Sequence, residues 1–192
     1  MTRIHGLAAH AARILLVAGV LALAYAGYVV IDAHTYQVNE QRRFAEDGER
    51  VPTASVPVEG DAIGEIGIPR LGIAAIVAEG DSAATLRRAV GHVVDTAWPG
   101  ETGNVVLAGH RDTFFRPLKD VRVGDTITMK TRGGDFEYRV ESIRVVRPTD
   151  VQVLASTGGR TLTLITCFPF FYLGPAPDRL IVVARAVTAA AR

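Results

Sequence analysis

The sequence predicts an all-β domain behind one N-terminal apolar segment, and three observations carry that prediction. Apolar and β-branched runs of strand length recur along the chain, glycine-containing turns separate them, and helical patterns are few and short. A parallel βαβ sheet needs helical crossovers between its strands, and this chain has too few helical patterns to supply them. A closed or sandwiched all-β architecture is what remains.

The strand patterns can be placed in order along the chain, and they make at least six strands. The clearest is residues 136–145 (FEYRVESIRV), where apolar residues alternate with charged or polar ones. The glycine pair at residues 133–134 predicts a hairpin that joins this strand to residues 126–130. Ser82 is placed to cap a short helix. The other strand patterns are residues 64–68, 73–79, 104–110, 160–167 and 179–187.

Composition narrows the classes of protein that the chain can represent. Lys and Arg total 21 and Asp and Glu total 20 in 192 residues, so the formal net charge is +1. This balance gives no reason to expect nucleic acid or another strongly charged partner. The chain has one cysteine, which excludes an internal disulfide and a thiolate metal cluster. The fold therefore depends on packing, for which 48% hydrophobic residues are ample.

The N-terminal apolar segment predicts a membrane anchor. Residues 14–31 carry no charge, and a helix of that length rises about 27 Å, close to the roughly 30 Å hydrocarbon thickness of a bilayer. Arg3 and Arg13 precede the segment and Asp32 follows it at once. This asymmetry predicts a cytoplasmic N-terminus and an extracytoplasmic domain.

A cleavable signal peptide is the alternative, because Ala24-Tyr25-Ala26 resembles a small-residue cleavage site. The apolar run is longer than a usual signal core and favours the anchor, and both alternatives place the domain outside the cytoplasm. Pro52 and Pro57 indicate a stiff linker before the domain. The predicted boundaries are a cytoplasmic N-terminus at residues 1–13, a transmembrane signal-anchor helix at 14–31, an extracytoplasmic linker at 32–60 and the folded domain at 61–192.

Three reactive or charged residues stand at the ends of strand patterns. His110 ends one strand, Cys167 ends another, and Arg179 begins the next strand after a loop. Because strand ends meet at the rim of a barrel, residues that are distant in sequence can lie together there. The short return from Cys167 to Arg179 favours a pair on adjacent antiparallel strands.

These residue types suit acyl transfer. A thiol has a pKa of about 8.5, and a neighbouring cation raises its thiolate fraction at neutral pH. An imidazole can protonate a leaving amine, and a fixed guanidinium can stabilise the oxyanion that forms when a thiolate attacks an amide. Cys167, His110 and Arg179 are therefore candidates for the nucleophile, the acid/base and the electrophilic partner.

Each candidate also has a structural alternative. Cys167 fits a small core residue, His110 a hydrogen-bonded loop residue, and Arg179 a surface pair with Asp178. A metal site built from His92 and His110 has no ligand spacing to support it. The residues alone leave these alternatives open.

The local motifs resemble those of the sortases, which are membrane-anchored cysteine transpeptidases. The resemblance rests on GHRDTFFRPL (109–118), TLTLITCFPF (161–170) and GPAPDRLIVV (174–183), and it is strongest to class D members. It spans residues 61–187 with the motifs in the same succession. It implies an eight-stranded β-barrel that needs no organic cofactor.

The resemblance also implies a reaction and roles for particular residues. Sortases cleave an LPxTG-type sorting signal, hold the acyl group as a thioester, and pass it to an amine on a cell-wall precursor or a pilin. The partners implied are thus an exported protein with such a signal and an amine acceptor on the cell envelope or a pilin. By motif, Cys167 would be the nucleophile, His110 the acid/base and Arg179 the oxyanion or substrate-positioning residue. Thr166 is a candidate for binding the tetrahedral oxygen.

Two departures from the family's patterns shape the remaining expectations. Phe168 stands where many class D members have Tyr. Residues 147–159 contain no dense acidic cluster, so we expect no calcium dependence, in contrast to some class A members. Phe170 and Tyr172 belong to an apolar loop that either lines a groove for the Leu-Pro part of a substrate or packs under the barrel rim. Rival functions are a thiol protease or amidase resolved by water, and an anchored binding domain without catalysis.

Overall fold

The computed structural model describes residues 2–46, 56–155 and 158–187, and it begins with a long helix, α1 (Thr2–Glu46). The apolar residues 14–31 of α1 are largely exposed, an arrangement that water disfavours and a bilayer favours. Within the described ranges, α1 is the one helix that is long and apolar enough to cross a membrane. α1 is therefore consistent with a membrane anchor, while its orientation and its retention after export stay predictions.

Eight strands close into a barrel, which confirms the predicted all-β fold. Their order around the barrel is β1-β2-β3-β4-β7-β8-β6-β5. A short helix, α2 (Ala83–Arg88), carries the chain from β2 to the parallel strand β3, and Ser82 caps it through a side-chain oxygen as the sequence predicts. The strands are β1 (Ala62–Ile68), β2 (Ile73–Glu79), β3 (Val90–His92), β4 (Gly103–Ala108), β5 (Thr126–Thr131), β6 (Gly134–Val146), β7 (Arg160–Phe168) and β8 (Asp178–Ala186).

The barrel interior is filled by the side chains that alternate inward along each strand. In β7, Leu162 and Leu164 belong to the main core cluster, together with Leu180 and Val182 of β8. Side chains of a strand point to opposite faces in turn, so the residues between these lie on the outer face of the barrel. This parity decides which residues near the end of β7 reach the outer face.

The strand pairing brings three strand ends to the same rim. β4 pairs with β7 in parallel, so both end there, and β7 pairs with β8 antiparallel, so β8 begins there. Because β4 and β7 are separated by more than 50 residues, sequence patterns do not reveal this pairing. The rim formed by these three strands is where the candidate residues lie.

The part of α1 beyond the apolar segment packs on the barrel. Tyr36 and Phe44 contact a second apolar cluster formed by Ile76, Ala78 and Ala89. Two polar links fasten the same helix: the amide of Gln37 accepts from the backbone N–H of Ile76 at 2.8 Å and donates to the Arg88 carbonyl at 2.7 Å, and Arg88 forms an ion pair with Asp32 at 2.6 Å. The first part of the predicted linker is thus helical and packed, and residues 47–55 of that linker lie outside the described residues.

Candidate active site

Cys167 lies at the rim as the last residue but one of β7. Its Cα partner on β8 is Arg179, and side chains in such opposite positions have Cβ atoms about 4.5–5.5 Å apart. Leu162 and Leu164 point into the core, so strand alternation directs Cys167 to the outer face. The thiol is free and half-buried. This environment differs from that of the buried core cysteine which the sequence left as an alternative.

His110 comes two residues after the end of β4, beside the same strand. Ala108 is the Cα partner of Ile165, and the pairing continues because the backbone N–H of Gly109 donates to the Ile165 carbonyl at 3.0 Å. Continuing the parallel register by two residues brings His110 level with Cys167. Among the described residues, no hydrogen bond is made by either ring nitrogen of His110 or by the Cys167 sulfur. Both groups are therefore available to a substrate.

Glycine is required before His110 because the chain approaches an aromatic ring closely there. A Cβ atom at Gly109 would lie 2.6 Å from the ring of the buried Phe115. The backbone N–H of Phe115 also donates to the His110 carbonyl at 3.1 Å. The turn after β4 is thus fixed on both sides, which holds the His110 backbone in place.

Arg179 is held by its own loop and not by an acidic partner. One guanidinium nitrogen, Nη1, donates to the carbonyls of Ala176 at 3.2 Å and Asp178 at 2.9 Å. Across the described ranges, no ion pair joins Arg179 to the Asp178 carboxylate, so the surface pair that the sequence left open is not formed. The Nε and Nη2 groups keep their donors for another ligand.

A groove of about 200 Å³ covers the outer face of the barrel beside these residues. Its floor includes Ala108, Ile165, Ile181 and Arg179, which come from β4, β7 and β8. The segment between β6 and β7 forms its wall, which combines charged and apolar side chains. Sequence analysis missed this wall, because it considered residues 147–159 only for acidic calcium ligands. The wall residues are Arg147, Pro148, Asp150, Val151, Val153 and Leu154.

The three residues predicted to bind substrate occupy different environments. Thr166 is only 2% exposed, and its hydroxyl donates to the Gly109 carbonyl at 2.7 Å. Phe170 packs against the core cluster and makes an edge contact with Phe168, with ring centroids 6.1 Å apart. Tyr172 is exposed on the loop between β7 and β8. The arrangement of Phe170 matches the packing alternative, and the substrate role of all three stays a prediction.

The second strand-end histidine, His92, is a structural residue. Its Nδ1 lies 2.7 Å from Glu79 Oε2, its Nε2 lies 3.1 Å from the Ala97 carbonyl, and its ring is 4.9 Å from that of Trp98. His92 is 1% exposed. In the described part of the chain, no group of three His, Cys, Asp or Glu side chains is arranged to hold a metal ion.

The closed barrel and its rim define a class of protein, and comparison with known proteins identifies it. The family model described as "Sortase domain" matches residues 66–187, which is more than half of the chain. The chain therefore belongs to the sortase family of transpeptidases.

Individual relatives agree with the class D resemblance. The chain is 30% identical over 190 residues to sortase D of Bacillus subtilis strain 168, covering 91% of this chain and 96% of that protein. It is similar in structure to a Clostridium perfringens sortase D5 transpeptidase, with a TM-score of 0.71 and 30% identity over 81% of this chain and 98% of the other. Sortase A of Corynebacterium diphtheriae superposes with a TM-score of 0.62 and 31% identity, over 70% of this chain and 63% of the other.

Proposed function

We propose that this sortase is a membrane-anchored cysteine transpeptidase that cleaves an LPxTG-like sorting signal and transfers the acyl group to an amine. The observation that carries the proposal is the pairing of Cys167 with Arg179 on the outer face of the barrel, beside a groove and level with His110. Acyl transfer is served by a nucleophile, an acid/base and an oxyanion donor, and Cys167, His110 and Arg179 have the side chains that suit these roles.

The first half of the reaction forms a thioester. The Cys167 thiolate attacks the carbonyl carbon of the scissile peptide bond, and the C–N bond breaks as the oxyanion collapses. His110, as the imidazolium, gives its proton to the leaving amine, so the amine departs neutral. The acyl group stays on the sulfur, and His110 is left as the neutral base.

The second half regenerates the enzyme. The amine of the acceptor attacks the thioester carbonyl, and His110 takes a proton from the attacking nitrogen. The C–S bond breaks, a new amide leaves, and Cys167 is again a thiolate beside the imidazolium. The acceptor is an amine of the cell envelope or of a pilin, and no cofactor takes part in either half.

Arg179 is the proposed oxyanion donor in both halves. Its Nη1 donates to two loop carbonyls, which fixes the guanidinium. Within the described residues, the N–H groups of Nε and Nη2 remain free to donate to an oxyanion. We expect Arg179→Ala to lower kcat by about 10²- to 10³-fold with little change in thermal stability. An equal loss of stability and activity would instead show that Arg179 is structural.

The groove is the proposed site for the apolar part of the sorting signal. Val151, Val153 and Leu154 of its wall and Ile165 of its floor give it an apolar part that suits a Leu-Pro pair, and Arg147 and Asp150 add charge to the wall. Tyr172 remains a second proposed contact from the neighbouring loop. The reactive carbonyl would lie at the end of the groove, near Arg179.

α1 supplies the proposed location, with residues 14–31 in the membrane and the barrel outside it. The exported substrate would then be met at the outer membrane surface. Arg3 and Arg13, on the N-terminal side, support this orientation through the preference of positive charge for the cytoplasm.

Incubation of the full chain in detergent micelles with an LPxTG-like peptide tests the proposal. With a glycine or diamine acceptor, we expect a ligated product that Cys167→Ala abolishes. Hydrolysis that persists at high acceptor concentration without ligation would favour a thiol protease or amidase. Negligible alkylation of Cys167 at neutral pH, unchanged by His110→Ala, would favour a binding domain without catalysis.

A further inference from the structure

Arg111, the residue that follows His110, fastens the loop between β7 and β8. Its guanidinium donates to three backbone carbonyls of that loop, through Nη1 to Pro169 at 2.8 Å and through Nη2 to Tyr172 at 2.8 Å and Gly174 at 3.2 Å. It also lies 6.0 Å from the centre of the Tyr172 ring. One side chain thus reaches three points of a nine-residue loop, residues 169–177.

The hydrogen bonds of Arg111 have a counterpart on the other side of Cys167. Gly109 lies on the other side of His110 from Arg111. Its backbone N–H donates to the Ile165 carbonyl, and its carbonyl accepts from the Thr166 hydroxyl. Residues 109–111 are therefore bonded to the chain both before and after Cys167. His110 is the middle residue of this segment, so its backbone is restrained relative to Cys167 from both directions.

The loop that Arg111 holds has few other restraints. Phe171, Tyr172 and Leu173 at its tip are 79%, 47% and 99% exposed. Phe170 alone in this stretch packs against the core cluster. A loop with such an exposed apolar tip depends on its backbone hydrogen bonds for a single conformation, and Arg111 provides three of them.

We propose that Arg111 is a positioning residue, which sets the β7–β8 loop and the Cys167–His110 pair in one geometry. This inference rests on the proposed transpeptidase function of the same rim. Arg111 acts through backbone carbonyls and does not itself act on substrate. Its three directed donors matter more than its charge, because a guanidinium can form a fork of hydrogen bonds that an ammonium group cannot reproduce.

The test uses the full chain in detergent micelles with three variants, Arg111→Met, Arg111→Lys and the control Arg116→Met. Arg116 is an exposed arginine five residues further along the chain, at the start of a short 3₁₀ helix. Limited digestion with chymotrypsin, followed by mass spectrometry, measures cleavage after Phe171 and Tyr172. Transpeptidation of an LPxTG-like peptide measures kcat and KM separately.

We expect Arg111→Met to be cleaved faster in the loop and to lose about 10- to 100-fold in kcat/KM, since small displacements of reacting groups have effects of that size. Arg111→Lys should recover only part of both, and Arg116→Met should match the wild type. Full recovery by lysine would show that charge alone matters and would overturn the proposal, as would cleavage and kinetics of Arg111→Met that equal the wild type.

The two readouts also separate this proposal from the proposed function. If the wild type shows no transpeptidation, the proposed function fails, while the loop cleavage of Arg111→Met still reports on the hydrogen bonds of Arg111. If the wild type is active and the loop cleavage is unchanged, the positioning role fails alone.

Discussion

The two histidines that follow a glycine at strand ends, His92 and His110, share this Gly-His pair and have opposite surroundings. Both glycines are required by close packing, since a Cβ atom at Gly91 would lie 2.5 Å from the Gly80 carbonyl and one at Gly109 would lie 2.6 Å from the Phe115 ring. His92 is sealed in the barrel wall with both nitrogens bonded. His110 is half-buried at the rim beside Cys167.

The two histidines differ in whether their ring nitrogens have hydrogen-bond partners. A carbonyl can only accept, so His92 Nε2 carries a proton directed at Ala97. The short contact between Nδ1 and Glu79 Oε2 then holds one further proton between the two groups. Both ring nitrogens of His92 thus have hydrogen-bond partners, whereas in the described part of the chain the ring nitrogens of His110 have none.

Replacing His110 should give the largest effect on activity. We expect His110→Ala to lower kcat/KM by about 10²- to 10⁴-fold, because it removes the proposed acid/base, and to leave the melting temperature nearly unchanged. Peptide ligation and thermal unfolding of the full chain measure the two quantities. Asp112→Ala, at an exposed position two residues away, is the matched control. A His110→Ala variant with normal ligation would remove His110 from the reaction.

Replacing His92 should reverse this pattern. His92→Ala leaves the Glu79 carboxylate buried without its partner, and losing one member of such a pair destabilises a protein by about 3–5 kcal/mol. Denaturant unfolding would measure the loss, and ligation per folded molecule below the transition should stay close to the wild type. A stable His92→Ala protein with no activity would mean that the two histidines were assigned the wrong way round.

A smaller effect, on stability alone, is expected at the ion pair between the exposed Arg70 and the buried Asp125. Hydrogen bonds from the Arg70 guanidinium, 2.5 and 2.6 Å long, hold the pKa of Asp125 below its usual value, and the Arg122 backbone N–H acts in the same direction against the effect of burial. A lowered folded-state pKa stabilises the protein above the unfolded-state value of about 3.9, and this stabilisation is lost as the pH falls.

The Asp125→Asn variant should therefore differ most from the wild type at neutral pH, and the difference should shrink between about pH 5 and pH 3. Free energies of unfolding measured across this range test the prediction, with Asp112→Asn as the control. A difference between wild type and Asp125→Asn that stays constant with pH would mean that the carboxylate charge is not the cause.

Local sequence patterns predicted many of the strands of the barrel. The pairing between distant strands could not be predicted from such patterns. The period-two alternation of residues 136–145 correctly placed β6, and the Gly-Gly hairpin correctly joined it to β5. β3 (Val90–His92) was missed, because three residues are too few to show a period. The succession of His110, Cys167 and Arg179 came from local motifs and from the resemblance to sortases.

The features that sequence analysis missed at the site depend on contacts across long separations. Arg111 bonds to Pro169, 58 residues away, and the groove wall near Val153 faces β4 and β7 only after the barrel closes. The inward direction of Thr166 could have been predicted, since it shares the parity of Leu162 and Leu164 in β7. Its buried hydroxyl fits a role in fixing Gly109 better than one in contacting substrate.

Mass spectrometry of the intact protein, quenched in acid during reaction with an LPxTG-like peptide, tests most directly whether this rim is one reactive centre. The chain has a single cysteine, so a thioester can form only at Cys167. We predict an added mass equal to the acyl fragment in the wild type, a much smaller amount in Arg179→Ala and none in Cys167→Ala. A wild-type protein that cleaves the peptide without ever carrying this mass would contradict the account.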